Sequence, residues 1–145
     1  MRKLTRLIAL MLVALIATLT SCQQSPREML VGEYKISSIT SDQKLSNDDK
    51  AAWQEEMENL KKTAMLKLKA DGSLEQSICG VTQRGSWEVF GEESEEGEIM
   101  KLKFVMESKS TVTMEIHDLS NSGFTDTEYD ENSKSKTIII YSKVK

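Results

Sequence analysis

Most of the chain beyond residue 63 alternates apolar and polar side chains with a period of two, and turn residues interrupt it at short intervals. Ile99 to Met106 is the clearest case: Met100, Leu102, Phe104 and Met106 fall on one face, Lys101 and Lys103 on the other. A period of two describes a strand with one buried and one wet face. Such half-buried strands belong to antiparallel sheets, because parallel strands are covered on both faces.

The same pattern predicts strands along almost the whole domain. Leu30 to Ile39 comes first, with Tyr34 and Ile36 on one face, followed by a polar, turn-like stretch from Asp42 to Asp49. Ala64 to Lys69 places Leu66 and Leu68 together, and Asp71-Gly72 is a hairpin signal. Ser73 to Ile78 returns, then Thr82 to Phe90 carries Trp87 and Val89. Gly91 to Glu98 reads as an acidic loop, and Ser108 to Ser110 as a turn. Val112, Met114 and Ile116 share the next face, with Asp118 following at the same parity. Asn121-Ser122-Gly123 marks a turn, Phe124 to Tyr129 a weak strand, Asp130 to Ser135 a polar link, and Thr137 to Val144 the last strand.

One segment has a different period. Asp48 to Leu60 places Ala52 or Trp53, Met57 and Leu60 at helical spacing. Ser46 or Asn47 caps its start, acids crowd its front half, and Lys61 and Lys62 follow its end, which suits the helix dipole. Strands this short, joined by short links, pair with their sequence neighbours. The predicted class is therefore mainly β: an eight-stranded antiparallel up-and-down barrel with one helix between strands 1 and 2. Closure removes exposed strand edges. A barrel of about eight strands is filled by side chains or holds one small ligand.

The N-terminus carries a separate message. Arg2, Lys3 and Arg6 precede an unbroken apolar run from Leu7 to Leu19. A basic start, a short apolar stretch and small residues make a secretory signal. The run is short for a membrane span, which needs about 20 apolar residues. Leu19-Thr20-Ser21-Cys22 resembles the lipobox of bacterial lipoproteins. That resemblance implies cleavage before Cys22 and lipid, palmitate included, on this residue. Two or more acyl chains give stable anchoring. The expected organisation is a cleaved signal over 1–21, a lipidated Cys22 with a tether over 22–29, and a barrel domain over 30–145. Pro26, the single proline, lies in the polar tether Gln23 to Glu28.

Removal of the signal takes 3 of the 19 basic residues and none of the 23 acidic ones, so the net charge moves from −4 to −7. Such a balance argues against nucleic acid and against polybasic docking on anionic lipid. Of the 2 cysteines, lipidation would consume Cys22. Cys79 is then alone, without an intramolecular disulfide partner. With no basic neighbour before Arg84, it reads as a buried structural thiol.

Leu30-x-Gly32-x-Tyr34, a strand ending at Asp71-Gly72, Gly85-x-Trp87 and a terminal Ile-Tyr-x-Lys-x-Lys resemble the lipocalin-like domains of bacterial envelope lipoproteins. The resemblance spans Leu30 to Lys145 and implies a lipocalin-like barrel in the cell envelope, anchored most naturally to the outer membrane. Lipocalins usually carry Trp where Tyr34 stands, with a late basic residue packed over it. The sequence leaves the position of that residue open.

The candidate ligand-binding residues are Tyr34, Trp53, Trp87, Met100, Phe104 and Met114. Each has a structural alternative. Tyr34 with Gly32 either closes the barrel base or merely starts a strand. Trp53 either lines a cavity mouth or anchors its helix. Trp87 either stacks on a ligand or fills the core beside Gly85. The methionines, Met106 included, either form a plastic pocket or fill space. His117 is the single histidine and shares a wet face with Glu115, which is too little for a metal centre. No motif supports a nucleophilic enzyme, and the acidic run lacks a calcium-loop pattern. The expectation is a binding module rather than an enzyme, without cofactor or metal, holding a small apolar or amphipathic ligand. The alternative is a filled barrel that binds an envelope protein partner.

Overall fold

The computed structural model describes residues 24–145; the signal over 1–21, Cys22 and Gln23 lie outside the described residues. A short helix, α1 (Pro26–Leu30), precedes β1 (Gly32–Ser41). Helix α2 (Asn47–Thr63) leads to β2 (Met65–Leu68), β3 (Ser73–Ile78), β4 (Val81–Ser94), β5 (Gly97–Met106), β6 (Thr111–Ser120), β7 (Gly123–Asp130) and β8 (Ser135–Lys143). The eight strands close in chain order into one antiparallel barrel, with β8 pairing back to β1. Every strand has two neighbours between Gly32 and Lys143, so the 24–145 segment closes its sheet from its own residues. It folds as a unit on that account. Among the described residues no helix is long and apolar enough to cross a membrane.

The register follows from the alternation. Glu33 opposes Lys67, Glu75 opposes Arg84, and Glu88 opposes Lys103, all on the outer wall. Each pair is bridged, at 2.8, 3.0 and 3.4 Å respectively. These exposed pairs add little stability. Their effect is on pairing, because a slip of one residue would break all of them and turn the apolar face outward.

The inward face is a continuous core of Leu30, Tyr34, Leu66, Leu68, Leu74, Trp87, Leu102, Phe104, Met106, Met114, Ile116, Phe124 and Tyr141. Gly85 lets β4 and β5 approach closely. A Cβ there would sit 2.2 Å from the Val105 carbonyl oxygen.

Several local expectations need correction. The presumed tether is helical from Pro26: the Ser25 hydroxyl accepts from the Glu28 amide at 3.2 Å and the Glu28 carboxylate accepts from the Ser25 amide at 2.9 Å. This reciprocal capping box fixes the turn, and Leu30, expected to start the first strand, ends the helix fully buried. The acidic stretch Gly91 to Glu98 is strand on both sides, with only Glu95 and Glu96 at the turn. Its charges face solvent, and Glu92 pairs with Lys101 at 2.8 Å.

Cys79 is exposed rather than buried. It and Gly80 form the two-residue link between the paired Ile78 and Val81, with φ of +50° and +80°. Positive φ at both central residues is the signature of a type I′ turn, whose tip lies at the surface. Irregular register near Ser37 and at Asp118 also shifts the phase of the alternation. As a result Leu119, not Asp118, packs against the core.

Candidate functional site

The two ends of the barrel differ. At the base, where β1 begins, α1 crosses the opening and touches β4 and β6. Burial of Leu30 there contributes ~2 kcal/mol. The last carbonyls of a helix lack intrahelical partners. Here the Tyr34 hydroxyl donates to the Leu30 carbonyl at 2.8 Å, and the Lys143 ammonium donates to the Met29 carbonyl at 2.8 Å. Lys143 also stands 5.6 Å from the centre of the Tyr34 ring. A late basic residue thus stands beside the first-strand aromatic, at a position the sequence left open. Burial pushes the Tyr34 hydroxyl up to about 12 and lowers the Lys143 ammonium.

Trp87 completes the base. Its indole N–H donates to the Lys69 carbonyl at 2.9 Å, and the Arg27 guanidinium lies 4.6 Å over its ring. This end is sealed by a helix, two aromatic rings and two cations.

The opposite end carries α2 and is built differently. Ser46 caps the helix by accepting from the Asp49 amide at 3.2 Å, but no residue of α2 is buried. The helix leans on β1 and β3. Its Asn59 and Thr63 side chains reach the Cys79 sulfur at 3.8 and 3.6 Å. Beneath its last turn is a cavity of about 150 Å³. Leu60, Ala64 and Met65 form its rim. Tyr34, Ile36, Leu66, Ile139 and Tyr141 form its apolar wall, with Gln76 and Ile78 along β3. A volume near 150 Å³ accommodates a benzene-sized body. Two larger hollows of about 600 Å³ lie open on the surface, along the polar side of α2 and outside the base near Lys67 and Lys143. Neither is enclosed by core residues, so the cavity beneath α2 is the better candidate.

Asp126 lies on the inner wall of β7, opposite Ile116 on one side and Ile139 on the other. It is only 1% exposed, and neither carboxylate oxygen has a hydrogen-bond partner. Burial first, then the Glu128 carboxylate, raises its pKa to about 7; the Thr127 amide acts in the opposite sense without meeting hydrogen-bond geometry. Tyr141 is raised as well, by burial and then by Asp126. Its ring stacks on Phe124 at 4.8 Å, and Phe124 meets Tyr34 edge-on at 5.1 Å. An aromatic column thus runs from the base to the cavity wall, with the carboxyl beside it.

The candidate binding residues separate on this frame. Tyr34 lines the cavity. Trp87 and Phe104 are packed in the core, 3% and 1% exposed. Met114 is buried with them, and Met100 packs against the core from a half-buried position. Trp53 lines a different hollow, a groove of about 340 Å³ shared with Ser41, Gln43, Lys44, Leu45 and Lys50. His117 and Glu115 meet at 3.0 Å on the outer wall. Cys22 lies outside the described residues. The sequence reading missed Lys143, Arg27 and Asp126. Only Arg27 had an accessible signal, the Ser25-x-x-Glu28 capping pattern that makes its segment helical. No family model and no curated protein matches the chain.

Proposed function

We propose that this chain is a lipid-anchored protein of the bacterial cell envelope whose lipocalin-like barrel binds a small apolar or amphipathic ligand beneath α2. The observation that supports it most is the asymmetry of the barrel. One end is sealed by buried, hydrogen-bonded groups, whereas the other leaves an apolar cavity under a helix with no buried residue. Apolar lining with a few polar groups is the usual composition of a small-ligand site. Binding would proceed by burial of apolar surface, and α2 is the element free to yield. In this reading the protein carries its ligand and catalyses nothing. The lipobox supports attachment at Cys22 in the outer membrane, with α1 and the barrel base nearest the lipid.

Native mass spectrometry of the 24–145 barrel, with organic extraction of bound material, tests the binding reading. A defined small molecule, lost when Leu60→Trp fills the cavity, is expected. A clean apo mass that takes up no apolar probe would refute it. Metabolic palmitate labelling tests the anchor: label is expected on the full chain and absent from Cys22→Ser.

A second reading has its own support. The lower interior is filled by Trp87, Leu102, Phe104 and Met106, and the remaining cavity is small. A filled barrel would act through its surface on an envelope protein partner. The same mass measurement separates the two.

A further inference from the structure

Asp126 is not explained by the fold. Its two cross-strand neighbours, Ile116 and Ile139, are apolar, and a buried carboxyl without a partner is unfavourable wherever nothing satisfies it. Its neighbours show where a partner can come from. Asp126 sits directly opposite Ile139 in the β7–β8 register, and directly opposed residues have Cβ atoms about 5 Å apart. Ile139 and Tyr141 form part of the cavity wall. Asp126 does not itself line the cavity, but a ligand held there rests against Ile139, the residue directly opposite this carboxyl, and against Tyr141, two positions further along β8.

We propose that Asp126 recognises a hydrogen-bond donor, above all a protonated amine, on the ligand of the cavity beneath α2. This rests on the reading of that cavity as a ligand site and narrows its chemistry. The volume of about 150 Å³ sets the apolar body at the size of a single ring or a short alkyl chain. The carboxyl sets the polar end. An ammonium gains a charge-assisted bond with Asp126, and Glu128 on the same inner face of β7 adds attraction from the mouth. A carboxylate ligand meets repulsion from both. The other titratable groups at the wall are Tyr34, whose hydroxyl is committed to the Leu30 carbonyl, and Tyr141; neither hydroxyl can neutralise an anion. Glu115 lies on the outer wall of β6, paired with His117. β8 carries two cations: Lys136 is exposed and opposes Tyr129, and Lys143 is committed at the base to the Met29 carbonyl.

Benzylamine, benzyl alcohol, toluene and benzoate share one ring and differ only in the polar end. Their binding to the 24–145 barrel is followed by amide chemical-shift titration at pH 7.5. Benzylamine is expected to bind at least tenfold more tightly than toluene, benzyl alcohol in between, and benzoate not at all, with shifts centred on Ile139 and Tyr141. Asp126→Asn should remove most of the benzylamine advantage and leave toluene within twofold. Equal affinities for benzylamine and toluene would overturn the amine assignment while leaving the apolar site standing. Preference for benzoate would do the same. Failure of all four to bind would overturn the cavity reading together with it. The probe series on the unmodified barrel decides the matter even if the variant folds poorly.

Discussion

Replacement of Asp126 by Asn should make the protein more stable at alkaline pH and nearly unchanged at acid pH. The folded-state pKa is raised from 3.8 to about 7, because burial and Glu128 both disfavour the charge. The native state therefore holds this proton more tightly than the unfolded chain does. Stability linked to it is fully present below the unfolded value near 4 and is lost as pH rises through about 7. The difference of about 3 pH units corresponds to ~4 kcal/mol in total, of which about 3 kcal/mol is lost between pH 5 and pH 8.5. Asn is close in shape and does not titrate. Urea melts of wild type and Asp126→Asn, followed by tryptophan fluorescence, should give nearly equal stabilities at pH 5. At pH 8.5 the variant should be more stable by about 3 kcal/mol. Glu128, Tyr141 and every other group are common to both proteins, so the difference isolates Asp126. A stability gap that does not change with pH, or a variant less stable at pH 8.5, would refute the reasoning. It would mean that the native state stabilises the carboxylate.

Other consequences follow from the two ends of the barrel. Tyr34→Phe leaves the buried Leu30 carbonyl with its 2.8 Å donor removed and should lower stability by about 1–3 kcal/mol in urea melts. Trp87→Ala opens the sealed base and should lower it by ~3–5 kcal/mol, with loss of near-ultraviolet dichroism. Cys79→Asn suits the type I′ turn better than cysteine and should raise stability by ~0.5–1 kcal/mol in urea melts. Leu60→Trp should weaken toluene binding more than tenfold with little change in the urea midpoint, because α2 contributes no buried residue.

The barrel was legible because alternation and turn chemistry agree. Met100, Leu102, Phe104 and Met106 set the inward face of β5, and Asp71-Gly72 supplies a glycine at φ +88° for the β2–β3 link. The helix was legible from Ser46, its acidic front and its spacing, and it is only a turn longer than expected. What was hidden lies where a local rule meets a tertiary demand. The alternation of Phe124, Asp126 and Glu128 places carboxyls on an inner face, against the expectation that acidic residues point outward. The register shift at Asp118 moves Leu119 inward, and no simple count of two reveals it. Cys79 has an apolar neighbour yet sits at a tip, because Gly80 beside it enables a turn. The role of Lys143 depends on α1 lying across the base, a contact between residues more than a hundred positions apart. The inward position of Tyr34 was legible, since Gly-x-aromatic at a strand start places that ring inside. Trp53 could not be placed from spacing alone, because helical periodicity does not say how closely a helix docks.

The most direct test of the account is whether an apolar molecule enters the barrel beneath α2. Crystals of the 24–145 barrel under xenon pressure, or soaked in toluene, would show it. The account predicts density bounded by Tyr34, Ile36, Leu66, Ile139 and Tyr141, and none at the Trp87 end. A barrel that stays free of both probes, or one that admits them only at the base, would contradict it.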